Sequence, residues 1–382
     1  MKLTIIAATN PTNPTLGTTK EIYENFGGKA AGVCYMKDNY ETLSSEAKTA
    51  TDKRIAFTKQ SGHHSVYDHS YISMCLEDAP KLFVMLLNNE RMYSTSEKSA
   101  RYTKMKSEGV EKELFDKWFA IFSDLLECEY SDVPYVVKAR EKLAQENARY
   151  FLSVMTPTTM IHTVSYRQLN LLYGFAKQMT YDEHPLAKLL KPTLENFCDQ
   201  LEMLGIIDMQ LISNGKGRTF SLVEDCSSRI EYFGDVYCTN YLGTFMYIAH
   251  AHRHRTLKYS ISLPESPNFY IPELIRGTDL EKDWLADMNS VAHLYPQGML
   301  VNICERGIPE DFILKAKERL CARAQLETCR HTHDILKRYI TSAELRVREM
   351  LEPYNKSRCH FHDFKCKEPC YFPDGITGKR RI

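Results

Sequence analysis

The chain has 382 residues, 43% of them hydrophobic and 26% charged, with Lys+Arg 49 balanced by Asp+Glu 49. A formal net charge of zero argues against a general polyanion binder and so against a nucleic-acid partner, and no apolar run reaches the 18 or so residues that a membrane-spanning helix needs. The 12 cysteines are scattered through a length sufficient to bury its own core, which suits reduced thiols and a cytoplasmic setting better than a disulfide scaffold.

Met1-Lys2-Leu3-Thr4-Ile5-Ile6 reads as a first strand, because its apolar run is too short for a signal peptide. Asn10-Pro11-Thr12-Asn13-Pro14 reads as turns. Leu82 to Leu87 is a short apolar helix. From Val110 to Tyr130 the residues Leu114, Trp118, Ile121, Phe122 and Leu125 recur at three and four, predicting an amphipathic helix. Further helices are predicted over Tyr166–Met179 and Leu189–Leu204. Ser213-Asn214-Gly215-Lys216-Gly217 is a polar, glycine-bearing connector and the expected domain boundary.

Beyond it, a helix is predicted through Tyr241–Leu257, ending in His250-Ala251-His252-Arg253-His254-Arg255. Pro264, Pro267 and Pro272 forbid a helix in the next loop. Pro309 suits an early helical position, with the helix expected to run to about Glu327 and a charged helix following from Asp334 to Leu351. Each side of the connector has a helix ending in a polar basic corner, a loop, a short Pro-containing segment and another helix. That order suggests an internal duplication. The tail, Cys359-His360-Phe361-His362-x-x-x-Cys366-x-x-x-Cys370, lacks the tight C-x-x-C knuckle of strong zinc motifs. Its plainer reading is a polar tail with free thiols and no metal.

The densest polar stretch is Asn89-Glu90-Arg91-Met92-Tyr93-Ser94-Thr95-Ser96-Glu97-Lys98-Ser99-Ala100-Arg101-Tyr102. Arginine and serine at this spacing suit a phosphate, since the planar guanidinium forks onto two oxygens and the hydroxyl adds a bond. The bland alternative is a solvated loop of local ion pairs. The stretch resembles the signature R-H-R-x-x-S-x-N-E-x-S-x-R-Y of the flavin-dependent thymidylate synthase family. It matches at Arg91, Ser94, Glu97, Ser99, Arg101 and Tyr102 and departs at Asn89, Glu90 and Ser96.

Gly62-His63-His64-Ser65-Val66-Tyr67-Asp68-His69 resembles the family's G-H-x-S/T-x-x-E-H, with Asp68 in the glutamate place. Ala148-Arg149-Tyr150-Phe151-Leu152 and Thr156 to Arg167 resemble its A-R-x-x-L-P and T-x-N-x-R segments, with Ser165 for the Asn. Together these cover most of residues 1–210. In the second half, Arg253-His254-Arg255 is an intact R-H-R, and Arg319-Leu320-Cys321-Ala322-Arg323-Ala324-Gln325-Leu326-Glu327 is similar to R-x(4)-A-Q-W-E. The position in the first half that aligns with Arg319 is Ala176, whereas Lys258, Ser260, Ile261, Leu263 and Glu265 keep nothing of the S-x-N-E-x-S-x-R run.

The resemblance implies an α+β fold of two tandem modules, each a small sheet packed with long helices: residues 1–212, 218–352, and a tail at 353–382. It implies reductive methylation of dUMP to dTMP with FAD, NADPH and methylenetetrahydrofolate. Glu97, Ser99, Arg101 and Arg149 would bind the nucleotide. Arg319 would bind and polarise the uracil ring. His63, Ser65, Ser165, Arg167, Arg253, His254, Arg255 and Arg323 would serve the cofactor, with Arg323 on the same helical face as Arg319. Ser99 lacks the base and orienter of a covalent nucleophile, and in this family no cysteine needs a catalytic role. Family sites lie between subunits of a homotetramer, so a tandem chain would pair as a homodimer forming a pseudo-tetramer. A related flavin enzyme acting on another uracil nucleotide, and a non-catalytic nucleotide-binding protein, stay open as alternatives.

Overall fold

In the computed structural model the described residues are 1–9, 20–35, 39–101, 103–212, 217–225, 229–367, 370 and 380–382. The expected turns at Asn10–Pro14, the motif's Tyr102 and residues 213–216 of the expected connector lie outside them. The fold is α+β, with helices around two small antiparallel sheets.

In chain order the elements begin with β1 (Lys2–Ala8), α1 (Lys20–Tyr35), α2 (Tyr40–Ser45), α3 (Lys48–Gln60), β2 (Tyr71–Pro80), α4 (Lys81–Leu87) and β3 (Ser94–Glu97). Next come α5 (Gly109–Glu129), α6 (Pro134–Ala148), β4 (Pro157–Ser165), α7 (Tyr166–Met179), α8 (Pro185–Met203) and α9 (Met209–Ile212). The rest is β5 (Tyr232–Phe233), β6 (Tyr237–Thr244), α10 (Phe245–Ala251), β7 (Lys258–Ser262), α11 (Leu280–Ser290), β8 (Leu300–Gly307), α12 (Pro309–Arg319), α13 (Leu326–Ser342) and α14 (Leu345–Leu351).

Two compact units form: Met1–Lys98 with Pro157–Ser221, and Ser99–Thr156 with Leu222–Ile382. The chain thus changes unit after Ser221, a few residues past the expected connector. Residues 99–156, expected in the first module, fold with the second unit. The reason is aromatic. Trp118 of α5 and Phe151 lie 4.9 and 4.7 Å from the Trp284 ring of α11, and the Trp118 indole N–H donates to Asp287 at 2.8 Å. Burying such rings outweighs continuity along the chain.

The first unit's sheet runs β1-β2-β4-β3, with Leu3 opposite Leu76, Met74 opposite His162 and Glu97 opposite Met160. Ile72, Met74 and Leu76 alternate inward on β2, as do Met160 and Val164 on β4, the two-residue period of a half-buried sheet. All of Leu82–Leu87 is buried in α4. The Ser165 hydroxyl caps α7 by accepting from the Gln168 N–H at 3.1 Å. The second unit's sheet runs β5-β6-β8-β7, the same order in its own numbering, and α10 has seven residues, as α4 does.

Four helix expectations change. Residues 241–244 belong to β6, laddered to β8 through Tyr241 opposite Ile303, and Thr244 caps a helix that stops at Ala251. Alpha12 stops at Arg319, because Leu320, Ala322 and Ala324 turn inward alternately, a period that a helix cannot supply. Arg323 therefore does not share a helical face with Arg319. The last helix divides at Ala343, which is extended with ψ 156°, into α13 and α14. Alpha8 begins earlier than expected, where His184 Nδ1 accepts from the Leu186 N–H at 3.2 Å.

Candidate functional site

In the first unit, the corner after α4 carries Asn89-Glu90-Arg91, where the family signature reads R-H-R. Glu90 is 3% exposed, accepts from Arg218 at 3.0 and 2.8 Å and from the Ser221 N–H at 2.6 Å. Burial pushes its carboxyl up, but these bonds outweigh that and hold it below the ordinary value. The Arg218 guanidinium in turn stacks 3.9 Å over Phe175. The carboxylate that stands where the signature has histidine is thus committed to Arg218 and Ser221.

Nearby, Asp68 joins two of the recognised segments. It accepts from the Ser165 hydroxyl at 2.6 Å and from Arg167 at 3.0 Å. Asp68, Arg91, Ser165 and Arg167 border a cavity of about 210 Å3. His63 is exposed and stacks 6.1 Å from Phe57; Ser65 is also exposed. Glu97, on the edge strand β3, pairs with Lys81.

The second unit gathers the other arginines. Arg101 donates to Glu146 at 2.7 Å and to the Arg323 carbonyl at 2.7 Å. Ser99 Oγ accepts from the Arg101 N–H at 3.4 Å. Arg101 also borders a cavity of about 380 Å3 with Lys104 and Lys142. Arg149 is 3% exposed. It donates to Gln325, and lies 3.1 Å from His250 Nε2 and 3.0 Å from the Met246 sulfur. Burial lowers its pKa to about 10, with Glu146 partly opposing. Expected to grip a phosphate, Arg149 here directs these bonds to protein groups, because α6 carries it inward against Gln325.

Arg253 and Arg255 are exposed. His254 between them is buried, and its Nε2 accepts from Arg319 Nε at 2.9 Å. Burial first, then the charges of Arg319 and Lys315, lower its pKa to about 2, so the imidazole is neutral with its proton on Nδ1. His254, expected on the cofactor side, is placed here as the acceptor that orients Arg319. Burial also lowers the Arg319 pKa, yet a guanidinium stays charged across the working range. Its two Nη groups make no hydrogen bond to the described residues, which leaves them available to a ligand. Arg323 is exposed and faces the Tyr135 ring at 5.5 Å.

Sequence reasoning missed three site residues. Asp68 was seen only as a substitution, Glu146 was not singled out, and Gln325 was seen only as part of a matched helix segment. Their roles come from bonds to residues distant in the chain. Beneath α12, Lys315 and Glu305 form a fully buried ion pair at 2.7 Å, with the Tyr237 hydroxyl donating to Glu305 at 2.7 Å.

Residues 23–181 match the family described as Thymidylate synthase complementing protein. The flavin-dependent thymidylate synthase of Pyrococcus furiosus is 24% identical over 152 residues, covering 37% of this chain and 59% of the relative. The match thus spans less than two thirds of that relative's length. Among solved structures, a UMP/dUMP methylase PolB from Streptomyces cacaoi bound with 5-Br dUMP aligns at 16% identity and TM-score 0.35, covering 55% of this chain and 92% of its own. Thymidylate Synthase X from Helicobacter pylori with FAD and dUMP aligns at 16% identity and TM-score 0.33, covering 56% and 96%. Similarity this low leaves the fold to be argued from the elements themselves. What the comparisons carry is the sequence match itself: residues 23–181 match that family's model, and the recognised segments fall within them in order, before β2, after α4 and through β3, at the end of α6, and along β4 into α7.

Proposed function

We propose that this chain methylates C5 of a uracil nucleotide, converting dUMP to dTMP, with FAD bound and with methylenetetrahydrofolate and NADPH as co-substrates. One observation carries the reading. A single compact unit contains Ser99, Arg101 and Arg149 from one half of the sequence and Arg253, Arg255, Arg319 and Arg323 from the other, tied by the bonds from Arg101 to Arg323 and from Arg149 to Gln325.

The division of labour follows from the chemistry. Ser99 and Arg101 offer a hydroxyl and a forked cation for the nucleotide phosphate, with Arg149 bracing the helix behind them. Arg253 and Arg255, exposed and charged, suit the flavin diphosphate. Uracil C5 is a weak nucleophile, so the ring needs donors where negative charge develops, and the Nη groups of Arg319 supply them. The flavin, when bound, supplies the redox chemistry that this family of reactions needs. Two chains would assemble four sheets as a homodimer. His63, Ser65, Ser165 and Arg167 are proposed on the cofactor side, and Glu97 on the nucleotide side.

A second reading, nucleotide binding without catalysis, draws on the Glu90–Arg218 lock, which removes one of two basic corners. One experiment separates them. Under the first reading the purified chain is yellow or takes up FAD and rescues a thymidine auxotroph, and Arg319→Ala abolishes the rescue. A colourless chain that binds dUMP, refuses FAD and fails to rescue supports the second.

A further inference from the structure

Four thiols from two distant parts of the sequence open onto one cavity of about 450 Å3 in the second unit: Cys321, Cys359, Cys366 and Cys370. Cys321 lies in the turn between α12 and α13, and the other three lie beyond α14 in a C-x6-C-x3-C spacing. Contacts that involve no thiol already hold this segment on the turn. The Arg358 N–H donates to the Leu320 carbonyl at 2.7 Å and Lys317 pairs with Asp363; within the segment the Arg358 guanidinium lies 4.1 Å over Phe364. All four cysteines are free of disulfides.

The chemistry of the lining selects the ligand. Among the described residues no carboxylate borders this cavity, so it has nothing to offer calcium or magnesium, which take oxygen ligands. Four soft thiolates are the donor set of a structural zinc centre. Such a centre carries two net negative charges, and four cations border the same cavity: Arg323, Arg358, Lys365 and Lys367.

We propose that Cys321, Cys359, Cys366 and Cys370 bind one zinc ion as a tetrathiolate clamp fastening the C-terminal segment to the turn after α12. No group of described side chains is already disposed as a finished metal cage, so binding draws the tail's thiols onto Cys321, as metal-coupled ordering does elsewhere. The clamp is structural, with all four positions filled by protein. It fixes the turn that leads out of Arg319 and bears Arg323. This site is independent of the proposed nucleotide chemistry, and its test reads metal rather than turnover.

Full-length chain purified with zinc and dialysed against a weak chelator is expected to retain about one zinc per chain. Cys321→Ser and Cys370→Ser should each cut bound zinc by about tenfold or more, while Cys34→Ser and Cys128→Ser keep it. Cobalt(II) added in place of zinc should give intense thiolate-to-metal absorption with tetrahedral visible bands, lost in Cys370→Ser, whose unchanged circular dichroism would show that the fold persists. Full zinc in Cys321→Ser overturns the proposal. So does iron with acid-labile sulfide, or a metal-free chain with disulfides among these four cysteines.

Discussion

Arg101 stands at a charge balance between a protein carboxylate and the proposed phosphate. Arg101→Ala should raise the dUMP dissociation constant tenfold or more in titration calorimetry, since a charged hydrogen bond is worth about 1.5–3 kcal/mol. That change also strips Glu146, 3% exposed, of its partner. Arg101→Lys keeps a cation there and should hold the melting temperature near that of the parent while still weakening dUMP. Unchanged affinity in both variants would refute the phosphate role. The matched signature identifies Arg101 and Ser99 as candidates, but it is silent on Glu146, which only the fold brings to Arg101.

His254 makes a pH prediction. Its pKa falls from the ordinary 6.5 to about 2 in the folded chain. A depressed value means stability that is complete above the unfolded pKa and is lost as pH falls toward the folded one. From pH 6.5 downward, toward about 2, the chain should therefore lose up to about 1.4 kcal/mol per pH unit through this group. His254→Gln keeps an acceptor for Arg319 without a proton to gain. Denaturant titrations at pH 7 and pH 5 should show a smaller difference for His254→Gln than for the parent; equal differences would place the titration elsewhere. Read as sequence, R-H-R offers three residues that supply positive charge and donors. Burial makes the middle one neutral.

At the scale of elements, the pair between β8 and α12 is the most exacting feature beneath Arg319. Glu305 and Lys315 are both fully buried. Burial lowers the Lys315 pKa, with Glu305 opposing, whereas the cation, aided by tyrosine hydroxyls, holds Glu305 low against its own burial. Lys315→Met should destabilise by about 3–5 kcal/mol, because it abandons a buried carboxylate, and adding Glu305→Gln should recover part of that loss. A chemical-denaturation cycle over the four proteins checks this; a double variant no better than Lys315→Met would count against the pair. Helix extents were legible where the 3.6-residue period ran unbroken, as in Tyr166–Met179, which the sequence predicts to the residue. They were not legible where inward alternation at Leu320, Ala322 and Ala324 ended α12.

For the molecule as a whole, the two sheets share one strand order, and each is followed after its second strand by a seven-residue helix. Yet the units do not coincide with the linear halves. A chain cut to residues 1–212 keeps α5 and α6 but loses Trp284, against which Trp118 and Phe151 pack. It should melt at least about 10 °C lower than the full chain, or aggregate, since losing a buried aromatic such as Trp284 costs about 3–5 kcal/mol. Differential scanning calorimetry of both chains decides; a fragment as stable as the parent would mean that residues 99–156 need nothing from the second half.

By itself the sequence determined the first strand and the helices whose 3.6-residue period runs unbroken, such as Tyr166–Met179, and which arginines, serines and histidines are candidates, through motifs that are contiguous in the chain. Tertiary structure alone decided which candidates meet. Glu90 is locked by Arg218, His254 is neutralised beside Arg319, and Cys321 is set among the thiols of the tail. Each depends on burial and on partners far along the chain, and a protonation state or a ligand set is fixed by the environment in three dimensions rather than by residue type.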